Sequence, residues 1–210
     1  HKMMAGLSLS LKRTYRHLQI HEGNIFQHVW THSKSPRAIV TPSNELLLGN
    51  ANPTYWKFYG RQNVDGLVHK LAGPGLQNEV TEKGWRLSSA CDAILTEGYD
   101  LSSCGFQKII HTYPVTDSVS LRARIKSILA LASKSNIRAL AIPALGTGVG
   151  GLDHSAVAQT LFDTILLESR FPKNLPADFA VDVFVLGNQN KQVWRMALDL
   201  SIQKLELGYY

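Results

Sequence analysis

The sequence predicts an α/β fold, a three-layer α/β/α sandwich with helices on both faces of a mixed central sheet, and three observations lead to it. Apolar runs of strand length recur along the chain, helix-periodic stretches separate them, and the glycine-bearing loops follow directly on strands. The strand candidates are Arg16–Ile20, Ala38–Thr41, Lys108–Tyr113, Ala139–Pro143 and Ala180–Leu186. Each is too short for a helix, and Ala38–Thr41, Ala139–Pro143 and Ala180–Leu186 are rich in Val, Ile, Leu or Ala, the pattern of a strand buried on both faces. The helix candidates are Val64–Ala72, Ser118–Ser133, His154–Glu168 and Lys191–Leu205, with Asn63 and Asp153 placed as N-caps. Phe171–Asp178 carries two prolines, which lack N–H donors, and reads as a connecting loop. Residues 1–14 read as an N-terminal extension and 15–210 as a single domain.

Composition narrows the function classes without choosing one. With 44% hydrophobic and 18% charged residues, the 210-residue chain has enough apolar sequence for one buried core. A formal charge of +6 favours an anionic partner such as a nucleotide or nucleic acid. No apolar run approaches bilayer-spanning length, so no membrane partner is expected. Cys91 and Cys104 make neither a metal spacing nor a disulfide framework, and no signal peptide is evident, so the expected location is intracellular, cytoplasmic or nuclear. Oligomeric state is not legible.

The run from Ile142 to Asp153 holds four glycines within six residues, Gly146 to Gly151, between a strand and a helix start. Such a turn lets the backbone approach a ligand and aim several N–H groups at it, which suits phosphate oxygens. A second loop follows Ala38–Glu45, and in open α/β sheets ligands gather at the carboxyl ends of strands. Asp65 and His69 stand four apart on the helix that Asn63 starts, so they share a face near the positive end of its dipole. Two readings are open for this pair. They orient a water or a sugar hydroxyl, or Asp65 serves the helix start and His69 is a satisfied, half-buried side chain.

Three ordered segments resemble the macro domain family, which binds ADP-ribose. These are Ala38-Ile-Val-Thr-Pro-Ser-Asn44, Asn63-Val-Asp-Gly-Leu-Val-His-Lys-Leu-Ala-Gly73 and Pro143-Ala-Leu-Gly-Thr-Gly-Val-Gly-Gly151, with further echoes at Gly23-Asn-Ile25, Thr96-Glu-Gly-Tyr-Asp-Leu101 and Ile109-Ile-His-Thr112. Within the family the motifs are nearest to the MacroD-type hydrolases. The resemblance implies ADP-ribose lying over the strand ends. Asn24 and Ile25 would meet the adenine, Asn44 the distal ribose, Gly146, Thr147, Gly148, Val149 and Gly150 the diphosphate, and Asn188 the adenosine end. It also implies Asn44, Asp65 and His69 as active-site residues: Asp65 to orient or deprotonate a water, Asn44 to hold ribose hydroxyls, His69 to fix the ribose or Asp65. It requires no metal and no cofactor.

The chain departs from the family pattern at several points. Arg61-Gln-Asn63 stands where hydrolytic members are glycine-rich, and Arg61 reads either as a phosphate ligand or as a solvated side chain. An aromatic insertion at about 49–60 carries Tyr55, Trp56, Phe58 and Tyr59, fit either to pack on the body or to cover a ligand or stack bases. Gly150 occupies the place of an aromatic ribose contact, for which Tyr55 or Trp56 is a substitute. Asn24 replaces an adenine-binding aspartate and Thr41 the first of two asparagines. The leading expectation is therefore ADP-ribose binding with hydrolysis of ADP-ribosyl esters, or of ADP-ribose derivatives such as the 1''-phosphate. The alternatives are a non-catalytic reader of ADP-ribose or ADP-ribosylated protein, and an RNA-binding domain.

Overall fold

A computed structural model describes residues 17–30, 35–49, 63–169 and 178–209. The aromatic insertion, Arg61, Gln62 and most of the 171–178 loop lie outside them. Six strands form one sheet: β1 (Leu18–Glu22), β2 (Arg37–Pro42), β3 (Ala93–Glu97), β4 (Lys108–Thr112), β5 (Ala139–Pro143) and β6 (Ala180–Val185). Their order is β1-β6-β5-β2-β4-β3, parallel throughout except for β3, which pairs antiparallel with β4 at the edge. β5 and β6 are buried along their whole length, as strands covered on both faces must be.

The helices are α1 (Val64–Ala72), α2 (Pro74–Lys83), α3 (Ser118–Lys134), α4 (His154–Ser169) and α5 (Asn188–Glu206), with short 3-10 turns at Ile25–Gln27 and Tyr99–Cys104. Asn63 caps α1 by accepting the Gly66 N–H at 2.8 Å, and Asp153 caps α4 by accepting that of Ala156 at 2.9 Å. Asp117 and Ser120 close a reciprocal capping box on α3. Gly73, at φ 76°, ends α1 and lets Pro74 begin α2 at once.

The alternation along each strand divides the core into two layers. Val40, Ile110, Leu140, Ile142, Val181 and Val183 pack with Ile125, Phe162 and Trp194 of α3, α4 and α5. Ile39, Ile109, Ala141 and Phe184 pack on the other face with Val68, Leu76 and Leu101. This is the three-layer sandwich the sequence predicts. Three expectations are corrected. β1 starts at Leu18 and runs to Glu22, α5 starts three residues earlier than expected at Asn188, and α2 and β3 had no counterpart in the periodicity. α2 is only weakly amphipathic, burying Leu76, Val80 and Glu79, so its pattern carried little signal. Among the described residues no helix is long and apolar enough to cross a membrane.

Candidate active site

The carboxyl ends of β1, β6, β5, β2 and β4 lie along one edge of the sheet, because these five strands run parallel. Gly23, Gly187, the Gly146–Gly151 loop and the Ser43–Gly49 loop all leave the sheet there. The candidate residues from four separate stretches of sequence are thereby brought to one edge.

The β5–α4 loop is held by Thr147, whose hydroxyl donates to the Ala144 carbonyl at 2.8 Å, and by the Leu152 N–H on the Gly146 carbonyl at 3.0 Å. Gly148, Val149 and Gly150 are exposed, and their N–H groups donate to no backbone carbonyl among the described residues. They stand just ahead of the α4 N-terminus, whose dipole favours an anion. A Cβ on Gly150 would stand 2.6 Å from the Gly146 carbonyl oxygen, whereas one on Gly148 meets nothing within 4 Å. That contact explains why glycine occupies position 150: the loop closes on itself where an aromatic residue would need to leave it.

Thr41 and His111 sit side by side in the β2–β4 register, on the face that carries Ile39 and Ile109 and meets α1. Ser43 continues the pairing past Pro42 through its N–H on the Thr112 carbonyl at 2.9 Å. Asp65, in the first turn of α1, reaches down to this row. Its Oδ1 accepts the Ser43 hydroxyl at 2.6 Å and the Thr41 hydroxyl at 3.4 Å. Ser43 Oγ is also 3.0 Å from His111 Nδ1, and His111 Nε2 is 3.0 Å from Thr96 Oγ1. Asp65 Oδ2 takes no hydrogen bond among the described residues. His69, one helical turn on, brings Nε2 to 3.9 Å from Asp65 Oδ1 but hydrogen-bonds to nothing among the described residues.

Burial dominates the electrostatics of this row. Asp65 is 3% exposed, and burial pushes its carboxyl up to about 6, against the opposing pull of the Ser43 and Thr41 hydroxyls. Burial pushes His69 down to about 4, and burial together with the neighbouring His69 pushes His111 down to about 3. The contact between Asp65 and His69 looks like an ion pair by distance alone. Desolvation favours the neutral form of both, but pH 7 lies above both values, so there a mostly ionised Asp65 faces an uncharged imidazole. One ligand atom each from Asp65, His69 and His111 lie within 4.8 Å of one another, which is metal-site spacing. Both His111 nitrogens, however, are already in hydrogen bonds.

Asn44 is exposed and its amide is spent locally, the oxygen accepting the Leu48 N–H at 3.1 Å and the nitrogen donating to the Gly49 carbonyl at 3.2 Å. A second lone pair and a second N–H remain for a ligand. Asn24 caps the first 3-10 turn through the Phe26 N–H at 3.0 Å, and the Ile25 side chain is buried in the core, leaving only its backbone for a ligand. Asn188, exposed, is the first residue of α5. Ser43, Thr96 and His111 were not among the candidate residues read from the sequence. The signal available was polar residues at core-facing positions of otherwise apolar strands.

A family model, Macro domain, matches residues 42–161, more than half of the chain and the whole span from Ser43 to α4. The chain belongs to the macro domain family. This macro domain is 32% identical over 139 residues to the human ADP-ribose glycohydrolase MACROD2, a match that covers 61% of the chain and 28% of the human protein. It is 28% identical over 170 residues to an O-acetyl-ADP-ribose deacetylase of Enterobacter sp., covering 76% of the chain and 89% of that protein. The chain thus spans under a third of the human relative's length and nearly all of the bacterial one's. Among solved structures, the Oceanobacillus iheyensis macrodomain with ADP matches at a TM-score of 0.68 and 23% identity, over 89% of this chain and 92% of that one. The Trypanosoma brucei macrodomain in complex with ADP-ribose matches at 0.67 and 22%, over 89% and 71%. At these identities the structural likeness establishes the fold.

Proposed function

We propose that the chain binds ADP-ribose along the strand-end edge and hydrolyses ADP-ribosyl esters there. The observation that carries the reading is the exposed Gly148–Gly150 backbone at the α4 N-terminus, whose N–H groups suit a diphosphate. With the diphosphate on Gly146–Gly150, the adenosine lies toward Asn24, Ile25 and Asn188, and the distal ribose toward Asn44 and Asp65. The names of the relatives, a glycohydrolase and a deacetylase of ADP-ribose compounds, support the same chemistry.

Hydrolysis of the ester needs a positioned water and a group to take its proton. A carboxyl near 6 is largely ionised at neutral pH yet basic enough to accept that proton, and Asp65 has this property. Its Oδ2 accepts the proton while Oδ1 stays engaged with Ser43 and Thr41. Asn44 orients ribose hydroxyls with its remaining lone pair and N–H, and the neutral His69 borders Asp65 without cancelling its charge.

One observation favours a second reading, a module that binds without turnover: Asp65 is 3% exposed and both hydroxyls draw it toward the sheet. Calorimetry with ADP-ribose, followed by turnover assays on ester-linked ADP-ribosylated protein and on ADP-ribose 1''-phosphate, separates the two. Binding with release of ADP-ribose supports the hydrolase, and binding alone supports the reader. No binding at millimolar ADP-ribose overturns both.

A further inference from the structure

We propose that Ser43 and His111 are positioning residues for Asp65, acting through a one-way hydrogen-bond chain from Thr96 through His111 and Ser43 to Oδ1. Their effect is to reserve Oδ2 as the oxygen that exchanges protons; the catalytic consequence rests on the hydrolytic reading above.

The direction of each bond follows from counting protons. Ionised Asp65 has none, so the bond of 2.6 Å is donated by the Ser43 hydroxyl. That hydroxyl has one proton and has now spent it, so its 3.0 Å contact with His111 Nδ1 must be donated by the ring. His111 is fully buried and held neutral, hence carries a single ring proton, which lies on Nδ1. Nε2 is then a bare acceptor and takes its 3.0 Å bond from the Thr96 hydroxyl. All three bonds are satisfied by one arrangement of protons, and that arrangement fixes the His111 tautomer.

The consequence falls on Asp65. A carboxyl oxygen already receiving a short donated bond keeps its lone pairs engaged, so a proton arriving at the group attaches to the other oxygen. Ser43 engages Oδ1, and Oδ2 takes no hydrogen bond among the described residues. Ser43 cannot turn its proton away, because Nδ1–H already occupies its acceptor side. His111 therefore acts at one remove: it never meets the reacting atoms but stops the hydroxyl from reversing. In the unreversed state the carboxylate charge is stabilised, and Asp65 titrates lower than burial alone would put it.

The test uses Ser43→Ala, Ser43→Thr and Thr96→Val, with folding checked by circular dichroism. In the unmodified chain, nitrogen-15 NMR of His111 at pH 7.5 should show the Nδ1–H tautomer. In Ser43→Ala the Asp65 carboxyl, followed by carbon-13 NMR, should titrate at higher pH, and Ser43→Thr should restore it. With an ester-linked ADP-ribosyl substrate, Ser43→Ala should lower kcat about tenfold or more, leave KM within about threefold, and move the acid limb of the kcat profile to higher pH. Thr96→Val, which keeps the Ser43 hydroxyl, should show a smaller change of the same sign. An Nε2–H tautomer in the unmodified chain, or an Asp65 titration unmoved in folded Ser43→Ala, overturns the proposal. If the unmodified chain turns nothing over, the hydrolytic reading and the catalytic part of this proposal both fail, while the two NMR readouts still decide whether the chain of bonds exists.

Discussion

Asp65 is the residue on which the chemistry and the stability of this molecule meet. Its folded pKa, about 6, lies above the ordinary carboxylate value of 3.8, so the folded state binds this proton more tightly than the unfolded state does. Its contribution to stability is therefore complete below about pH 4 and is lost as pH rises toward 6. His69 and His111 have the opposite sign. Their folded pKa values, about 4 and about 3, lie below 6.5, so their contribution is full above pH 6.5 and is lost as pH falls. Asp65→Asn, which keeps an oxygen for Ser43 and removes the buried charge, should stabilise the chain at pH 8 by on the order of 2 kcal/mol. The gain should vanish at pH 4, as urea unfolding at the two pH values would show. Turnover should be lost at both. The pairing of Asp65 with His69 was legible from a spacing of four on a capped helix. The partnership with Ser43 and His111 was not, because it joins residues 22 and 68 positions apart in the chain and depends on which strand lies beside which.

At the scale of the element, the β5–α4 loop is the feature most fully readable from sequence. The glycine run appears in the structure as an exposed loop just ahead of α4, and Asp153 caps that helix as its chemistry suggests. What the sequence did not reveal is that the glycines are unequal. Gly150→Ala drives a Cβ against the Gly146 carbonyl and should weaken ADP-ribose binding by about tenfold or more, whereas Gly148→Ala opens into free space and should change it by less than about threefold in calorimetry. Asp153→Ala removes the side-chain acceptor from the α4 N-terminus and should lower stability by about 1 kcal/mol in thermal or urea melts, with the loop sequence itself intact. β3 escaped the reading for a different reason. It sits at the edge and alternates between buried and more exposed positions, so it lacks the unbroken apolar run that marks β5 and β6. Yet it supplies Thr96, the far end of the hydrogen-bond chain to Asp65.

Across the whole molecule, strand order determines which motifs become neighbours. β2 lies between β5 and β4, so the loop bearing Asn44 and the glycine loop leave the sheet from adjacent strands although almost a hundred residues separate them. Hydrophobic periodicity identified the layers, but the order of strands within the sheet was not legible in the sequence and is given by the structure. In the α3–α4–α5 layer Phe162 and Trp194 are fully buried and meet edge to face at 5.9 Å. Phe162→Ala should cost about 3–5 kcal/mol, read as a lower urea midpoint. Because Phe162 lies across the sheet from Asp65, the pH dependence of turnover should keep its shape.

The contact between Gly49 and His69 bears on how the chain tolerates variation in length. Gly49, at φ 65°, lies so close to the imidazole that a Cβ there would stand 2.6 Å from the ring. Asn63 begins the helix that carries that same ring, six residues earlier, a rise of about 9 Å. The numbers 50–62 thus separate a loop residue that lies against His69 from the residue that caps the same helix. The flanking residues Gly49 and Asn63 are held by the body of the protein, and for a flexible connection between two held points added length costs only a slowly growing closure entropy. The two residues that bracket 50–62 are thus tied to the same helix, Gly49 against its His69 ring and Asn63 as its cap, so the start of the helix that carries Asp65 has its own anchors on either side of the interval.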